Sequence, residues 1–554
     1  MKSVSCRWLL RARLLLAAPL LALKPLASAQ ETDGRPAGEW LITPRLSTGI
    51  TYSDNIRLAP ADQAEGDWVL QVDPGVSVRK QGGGLNLRLD YTAQMLLYTQ
   101  SGESQVNNDL IAFANAELYP EHLFVDVYGS IAQVPTNSTG RVDAGNLGLS
   151  GGSSFLSLFN NIDLGLPGSR EIFNPIGIFS NLALTDDQTT AANFGISPYW
   201  QQNFGGWAEG TLRYRYDDTA FDQGDASDGR NQTVTLDLNS GRRFSQLSWS
   251  LSAFYQAQDL NGNDAGDAGN STERSIDAQA RYRLNPRWSL LAEAGYVNND
   301  LATFADNRNG SYWAAGFGWT PSRFIGLDAL YGVNLNQVAL RWTPSARTRF
   351  EVQRRDQDVG ASPGVHWEGS ADYRSRFSIW TLRYTEEVTS VQQLLANGLT
   401  GVGPDGQPIA LDDTQQIAAG GGPFGLNNDQ FLRKRLDASV AYQRGRNGLL
   451  FNAFNEDRSY TTPYSSDENA WGIGGLWTWR FAPRTASFLG TGWEHDNPGD
   501  EQQNDYWVSV IGLARVFTPD AGALISYRYY QNDADPSDQS FRENRLNLRF
   551  SMKF

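Results

Sequence analysis

The sequence predicts an all-β protein, a large antiparallel transmembrane β-barrel of about 24 strands with short periplasmic turns and long surface loops. Three observations carry that expectation. Apolar and polar residues alternate with period two in segment after segment. Tight Gly/Pro/Asn turns alternate along the chain with longer Asp/Asn/Gly-rich connections. No stretch after residue 29 is apolar enough to form a membrane helix.

Composition fits a barrel wall. Of 554 residues 12% are aromatic, which demands burial, yet mean hydropathy is −0.44. A strand with one face in lipid and one in water satisfies both numbers. The net charge of −15 argues against general nucleic-acid binding. The single cysteine, Cys6, excludes disulfide frameworks and Cys-rich metal sites.

Residues 1–29 read as a cleaved secretory signal: Lys2, Arg7, Arg11 and Arg13, then the apolar run Leu14 to Leu23, then Ala27-Ser28-Ala29. Ten apolar residues are too few to span ~30 Å of hydrocarbon. Cleavage removes Lys2, Arg7, Arg11, Arg13 and Lys24 but no acid, and it discards Cys6. Residues 30–39 form a short periplasmic segment, and 40–554 the barrel, in the outer membrane of a Gram-negative cell.

The strand pattern is clearest in Leu85–Met95, where every odd residue is apolar or aromatic and every even one polar. Leu212, Tyr214 and Tyr216 alternate with Arg213, Arg215 and Asp217, and Ile276 to Leu284 alternate with Asp277 to Arg283. Short turns are expected at Gln81–Gly84, Asn285–Arg287, Pro321–Arg323, Pro344–Arg347 and Phe481–Thr485, among others. Between them lie acidic loops at Asp217–Arg230, Asp259–Glu273, Asp300–Gly310, Asp496–Asp505 and Asp533–Ser540. Trp319-Thr320-Pro321-Ser322 recurs as Trp342-Thr343-Pro344-Ser345, placing an interfacial ring before a proline that ends the ladder. The hairpin over Leu327–Trp342 has the shortest outer turn, near Asn334–Asn336; without it the count is 22 strands. Leu546, Leu548, Phe550, Met552 and Phe554 alternate with polar residues and form a candidate insertion signal for the barrel-assembly machinery.

Two connections are exceptionally long, Val134–Thr190 and Thr389–Asp429. The first carries Phe155, Leu156, Leu158, Phe159, Ile172, Phe173, Ile176, Ile178 and Phe179, which a purely solvated loop would not need. It is expected either to fold into the lumen and narrow it or to pack on itself as a surface cap.

No catalytic constellation emerges, and no enzyme activity is expected. His122, His366 and His495 are scattered without metal-ligand spacing. His495 and Asp496, adjacent on one strand, point to opposite faces. Gly148-Leu149-Ser150-Gly151-Gly152 fits G-x-S-x-G only formally, because it sits in a Gly/Ser-rich loop. No cofactor is expected. Loop carboxylates such as Asp62, Glu65 and Asp67 offer at most Ca²⁺ binding or divalent bridging of lipopolysaccharide, against the plainer reading of solvated acidic loops.

The positive signal is the polar face. Arg88, Arg213, Arg215, Arg281, Arg283, Arg341, Arg374, Arg383, Arg435, Arg528 and Arg549 are candidate pore-lining residues. They are interleaved with Asp90, Asp217, Asp277, Glu387 and Asp437. Arg forks either brace the wall or handle carboxylate-bearing and neutral sugars in transit.

Trp40-x-Ile42-x-Pro44-x-Leu46-Ser47, with Tyr52-Ser53-Asp54-Asn55-Ile56-x-Leu58, resembles the start of the outer-membrane β-barrel proteins associated with PEP-CTERM/exosortase systems. Asp73-Pro74-Gly75-Val76 and the Trp-Thr-Pro turns are similar too, whereas the two long connections and the hairpin near Leu327 depart from the pattern. The resemblance supplies no catalytic residues. It implies a conduit or assembly component linked to exopolysaccharide export. Its expected partners are outer-membrane lipid and lipopolysaccharide, the assembly machinery, exopolysaccharide and periplasmic export components. The alternatives are a general or substrate-specific uptake porin and an adhesion or structural barrel with a closed pore.

Overall fold

The computed structural model describes residues 39–136, 164–166, 168–173, 182–185, 188–222, 228–261, 270–301, 308–394, 429–460, 466–499 and 503–554. The signal segment and the Gly148–Gly152 stretch lie outside the described residues, as do Phe155, Leu156, Leu158, Phe159, Ile176, Ile178 and Phe179.

The chain forms one closed antiparallel barrel of 24 strands. The first six are β1 (Trp40–Ser53), β2 (Asp67–Lys80), β3 (Leu85–Tyr98), β4 (Ser104–Tyr119), β5 (Leu123–Pro135) and β6 (Gln188–Asn203). Next come β7 (Ala208–Phe221), β8 (Asp228–Ser240), β9 (Leu247–Asn261), β10 (Ser271–Arg283), β11 (Trp288–Leu301) and β12 (Gly310–Ser322). The third quarter is β13 (Ile325–Val333), β14 (Leu335–Ser345), β15 (Thr348–Gln357), β16 (Gly364–Arg374), β17 (Ser378–Ser390) and β18 (Gln430–Arg444). Then follow β19 (Asn447–Ser459), β20 (Glu468–Ala482), β21 (Thr485–Asn497), β22 (Gln503–Thr518), β23 (Ala521–Asp535) and β24 (Phe541–Lys553). Each strand pairs with its sequence neighbours, and β24 closes on β1 from Arg45↔Lys553 to Ser53↔Arg545. Closure leaves no sheet edge, which a bilayer requires.

Alternation decides what each face meets. On β20, Trp471, Ile473, Trp477, Trp479 and Phe481 point out and are exposed, while Ala470 and Leu476 point in and are buried. Trp471 and Trp479 stand eight residues apart, about 27 Å along the strand and about 20 Å in height at the ~40° tilt of such strands, which fits within the ~25 Å apolar band of outer-membrane barrels. At the periplasmic level Trp288 packs on Trp319 and Phe317, and Trp342 stacks on Phe350. The chain is therefore an outer-membrane barrel. The Trp-Thr-Pro turns behave as expected: pairing slips between Trp319 and Ser322 and between Trp342 and Ser345, where Pro cannot donate to the ladder.

Two expectations need correction at the outer end. The acidic loops are shorter than predicted. Strands continue to Phe221, Asn261, Asn497 and Asp535 and resume at Asp228, Ser271 and Gln503, because strands rise above the bilayer where both faces tolerate polar residues. The doubtful hairpin is real, as β13 and β14. The β13–β14 ladder closes at Tyr331↔Asn336, so the turn is the four residues 332–335, with Asn334 at φ 58°, a left-handed conformation that Asn adopts readily. Asn334 Nδ2 donates to the Ser311 carbonyl at 2.9 Å and ties that turn to β12.

Candidate functional site

The candidate site is the lumen, and its wall is built from carboxylates braced by arginines. Residues two apart on a strand share a face, so Arg88 Nε reaches Asp90 at 3.0 Å and Arg215 Nε reaches Asp217 at 2.7 Å. Arg435 and Asp437 pair in the same way at 2.7 Å. Cross-strand bridges add Arg213 to Asp126 at 2.8 Å, Arg528 to Glu543 at 2.6 Å and Arg549 to Asp73 at 2.9 Å. Glu456 is the densest node. Its carboxylate accepts from Arg433 at 2.9 Å, from Arg458 at 2.8 Å and from Arg435. The Glu456 and Arg458 side chains are fully buried. Arg88, Arg213, Arg215, Arg435, Arg528 and Arg549 thus line the inner wall chiefly as braces.

The remaining five candidates differ. Arg281 on β10 crosses to Asp328 on β13 at 2.6 Å and remains partly exposed. Arg283, Arg341, Arg374 and Arg383 lie on the inward-facing parity of β10, β14, β16 and β17, are exposed, and make no ion pair among the described residues. Their charge is available to a solute. Nearby, Arg355 of β15 spans four strands to Glu293 of β11 at 2.8 Å, so β10–β16 curls into a tight lobe. The Arg308–Gly360 backbone bridge joins the two outer connections on either side of the β13–β14 hairpin.

The long β5–β6 connection enters the lumen. Leu164, Leu166, Ile172 and Phe173 pack on the inward residues Phe488, Val508, Val510, Val516 and Leu524 of β21–β23. Ile172 and Phe173 belong to a short helix, α1 (Ser169–Phe173). This contact lies at the periplasmic end. Arg480 Nη1 donates to the Gly165 carbonyl at 2.7 Å, and Phe173 lies against Gly522, one residue into β23. A Cβ at Gly168 would stand 3.0 Å from the Pro519 carbonyl in the β22–β23 turn. Leu182 and Leu184 are back at the outer end, packed with Ile56, Leu96 and Tyr98, where Leu184 N–H donates to the Ile56 carbonyl at 2.9 Å. Of the two fates expected for this connection, the described residues take the lumenal one.

The described start of the second connection packs across the outer end. A helical turn at 391–394 buries Val391 and Leu394 against Val134, Ala191 and Phe431. Gln258 of β9 donates to Ser390 at 3.0 Å and accepts from Gln393 and Gln430, both at 3.1 Å. Strands eight positions apart are therefore joined by side chains. As β17 leans inward, its pairing with β16 is confined to Gly369–Arg374 against Ile379–Tyr384. Above that seam, His366 Nδ1 and Glu386 Oε2 stand 3.1 Å apart.

Sequence reasoning missed the docking surface for the first connection. Its signal is present in Trp507–Phe517, where Val508, Val510, Ala514 and Val516 make the inward face as apolar as the outward one. A strand apolar on both faces has cover on both. The histidines separate as predicted. His122 clusters with Tyr119 and Trp200, which also stack on each other, at a periplasmic turn, and His495 meets Asp505 at 3.0 Å while Asp496 is buried on the other face. Among the described residues no group of three or more His, Cys, Asp or Glu converges for a metal.

No family model matches the sequence, and no curated protein matches it. Solved structures similar to it include the siderophore receptor PirA from Pseudomonas aeruginosa (10% identity, 94% of this chain and 81% of that one, TM-score 0.41). The FrpB iron transporter from Neisseria meningitidis aligns at 10% identity over 94% of this chain and 83% of that one, with a TM-score of 0.44. The Pseudomonas aeruginosa ferric enterobactin receptor PfeA, in a mutant complex with enterobactin, aligns at 9% identity over 92% and 81%, also with 0.44.

Proposed function

We propose that this chain is an outer-membrane uptake barrel whose lumen is closed at rest by its own β5–β6 connection and opens when that connection leaves the inner wall. The observation that carries this reading is the seating of Leu164, Leu166, Ile172 and Phe173 at the periplasmic end of β21–β23. A barrel serving only as a scaffold has no need to run a surface connection the length of its own lumen. The lumen-exposed Arg283, Arg341, Arg374 and Arg383 give the opened path a preference for anionic solutes. Solutes carried by the similar receptors, such as siderophores, are one class that fits such a path.

The resemblance of Trp40–Leu58 to the PEP-CTERM-associated barrels supports a second reading, passage of exopolysaccharide outward. Planar-bilayer recording separates the two. Full-length protein is compared with a variant in which residues 137–187 are replaced by a short Gly/Ser linker, with and without polysaccharide. Low conductance rising at least tenfold in the deletion, unaffected by polymer, supports gated uptake. Block of the opened barrel by polysaccharide but not by small anions supports export. No conductance in either form overturns both and leaves a structural or adhesive barrel.

A further inference from the structure

The periplasmic rim carries charge of one sign over more than half its circumference. Seven consecutive turns, from β8–β9 to β20–β21, each hold at least one arginine: Arg242 and Arg243, then Arg287, Arg323, Arg347, Arg376, Arg446 and Arg484. Residues 241–246, 284–287, 321–324, 344–347, 374–377, 444–447 and 481–484 contain no Asp or Glu. The four turns outside the arc hold no arginine, and two of them carry an acid, Glu121 between β4 and β5 and Asp520 between β22 and β23. The connections at the other end of the barrel are acidic, so the arc is not a general excess of arginine.

These guanidinium groups are held at lipid level. Arg243 lies 4.8 Å over the Trp207 ring, Arg323 4.8 Å over Phe324, and Arg376 and Arg444 lie 5.0 and 5.2 Å from Phe377. Trp207, Phe324 and Phe377 are exposed aromatics at the inner bilayer boundary. Arg484 Nη1 donates to the Phe517 carbonyl at 2.8 Å. A guanidinium stacked on a ring keeps its in-plane N–H donors, and those donors match a phosphodiester's oxygens. An arginine reaching for a periplasmic protein would extend away from the membrane instead of lying on the aromatic belt.

We infer that the arc from β8 to β21 is a binding surface for anionic phospholipid headgroups of the periplasmic leaflet. The full-length barrel, purified in a neutral detergent, would be titrated with phosphatidylglycerol or phosphatidylcholine and the bound lipid counted by native mass spectrometry. Wild type is expected to retain phosphatidylglycerol at least tenfold better than phosphatidylcholine. Combined replacement of Arg243, Arg323, Arg376, Arg444 and Arg484 by Gln should bring that ratio near one, while the compact unboiled gel band is retained. Lysine at the same five positions keeps the charge but loses the planar fork, and should recover only part of the preference. Equal retention of both lipids by wild type, or an undiminished ratio in the Gln variant, would overturn the inference. Binding of soluble polyglutamate by a wild type indifferent to phosphatidylglycerol would also overturn it, assigning the arc to an acidic protein.

Discussion

The ring of Phe173 rests on the backbone of Gly522: a Cβ built on that glycine would stand 2.5 Å from the ring's Cζ. A lumenal segment and a wall strand, nearly 350 residues apart in sequence, thus meet where only glycine fits the strand. Replacing Phe173 by Ala should cost the docked segment about 3–5 kcal/mol, the usual range for a buried Phe. Because the wall itself is untouched, the heat-dependent gel shift should stay as in wild type while single-channel conductance rises. Wild-type conductance in this variant would show that the contact does not hold the lumen shut.

Glu456 tests whether the arginine network is a brace. Its carboxylate is shared by Arg433, Arg435 and Arg458, and Glu456→Gln removes the buried anion common to all three, leaving each only its second partner, Glu387, Asp437 or Glu468. Breaking a buried pair by removing one partner costs about 3–5 kcal/mol. The midpoint of urea unfolding in lipid vesicles should fall clearly. An unchanged midpoint would mean that water or counter-ions already screen this node.

How far the sequence could be read follows from which contacts are local. Strand count and facing came from alternation, and pairs such as Arg88 with Asp90 follow from spacing two on one strand. The turn at 332–335 is the hard case, since Gly332, Val333 and Leu335 also pair with the flanking strands and leave only Asn334 outside any ladder. Long-range contacts were hidden for a different reason. Nothing local to Phe173 names Gly522, and nothing near Gln258 names Ser390. Yet Val508 and Val510 between Trp507 and Ile511 already showed that the inner face of β22 required a cover.

The seam between β16 and β17 gives a prediction about backbone dynamics. Residues 364–368 have no ladder partner on β17, whereas Gly369–Arg374 do. Residues 364–368 stay paired with β15, so only the amides that face β17 lack a ladder bond and open without breaking one. Hydrogen exchange in lipid nanodiscs should therefore be at least tenfold faster for a peptide covering 364–368 than for one covering 369–374. Equal protection would place the side-chain bridge from His366 to Glu386 as a full substitute for the missing ladder.

Ion selectivity of the opened barrel tests the exposed arginines separately from the braces. Arg283, Arg341, Arg374 and Arg383 have no carboxylate partner among the described residues, so neutralising them leaves no buried charge uncompensated. In the background lacking residues 137–187, replacing all four by Gln should leave the unfolding midpoint within about 1 kcal/mol of its parent. The chloride-to-potassium permeability ratio should fall several-fold, since exposed fixed charges in a pore set its sign preference. The converse substitution at a brace, Arg213→Gln, strands Asp126 in a buried site and should lower stability more than it alters selectivity. If the four-residue variant keeps its ratio while Arg213→Gln changes it, the division between braces and solute-facing arginines is drawn in the wrong place.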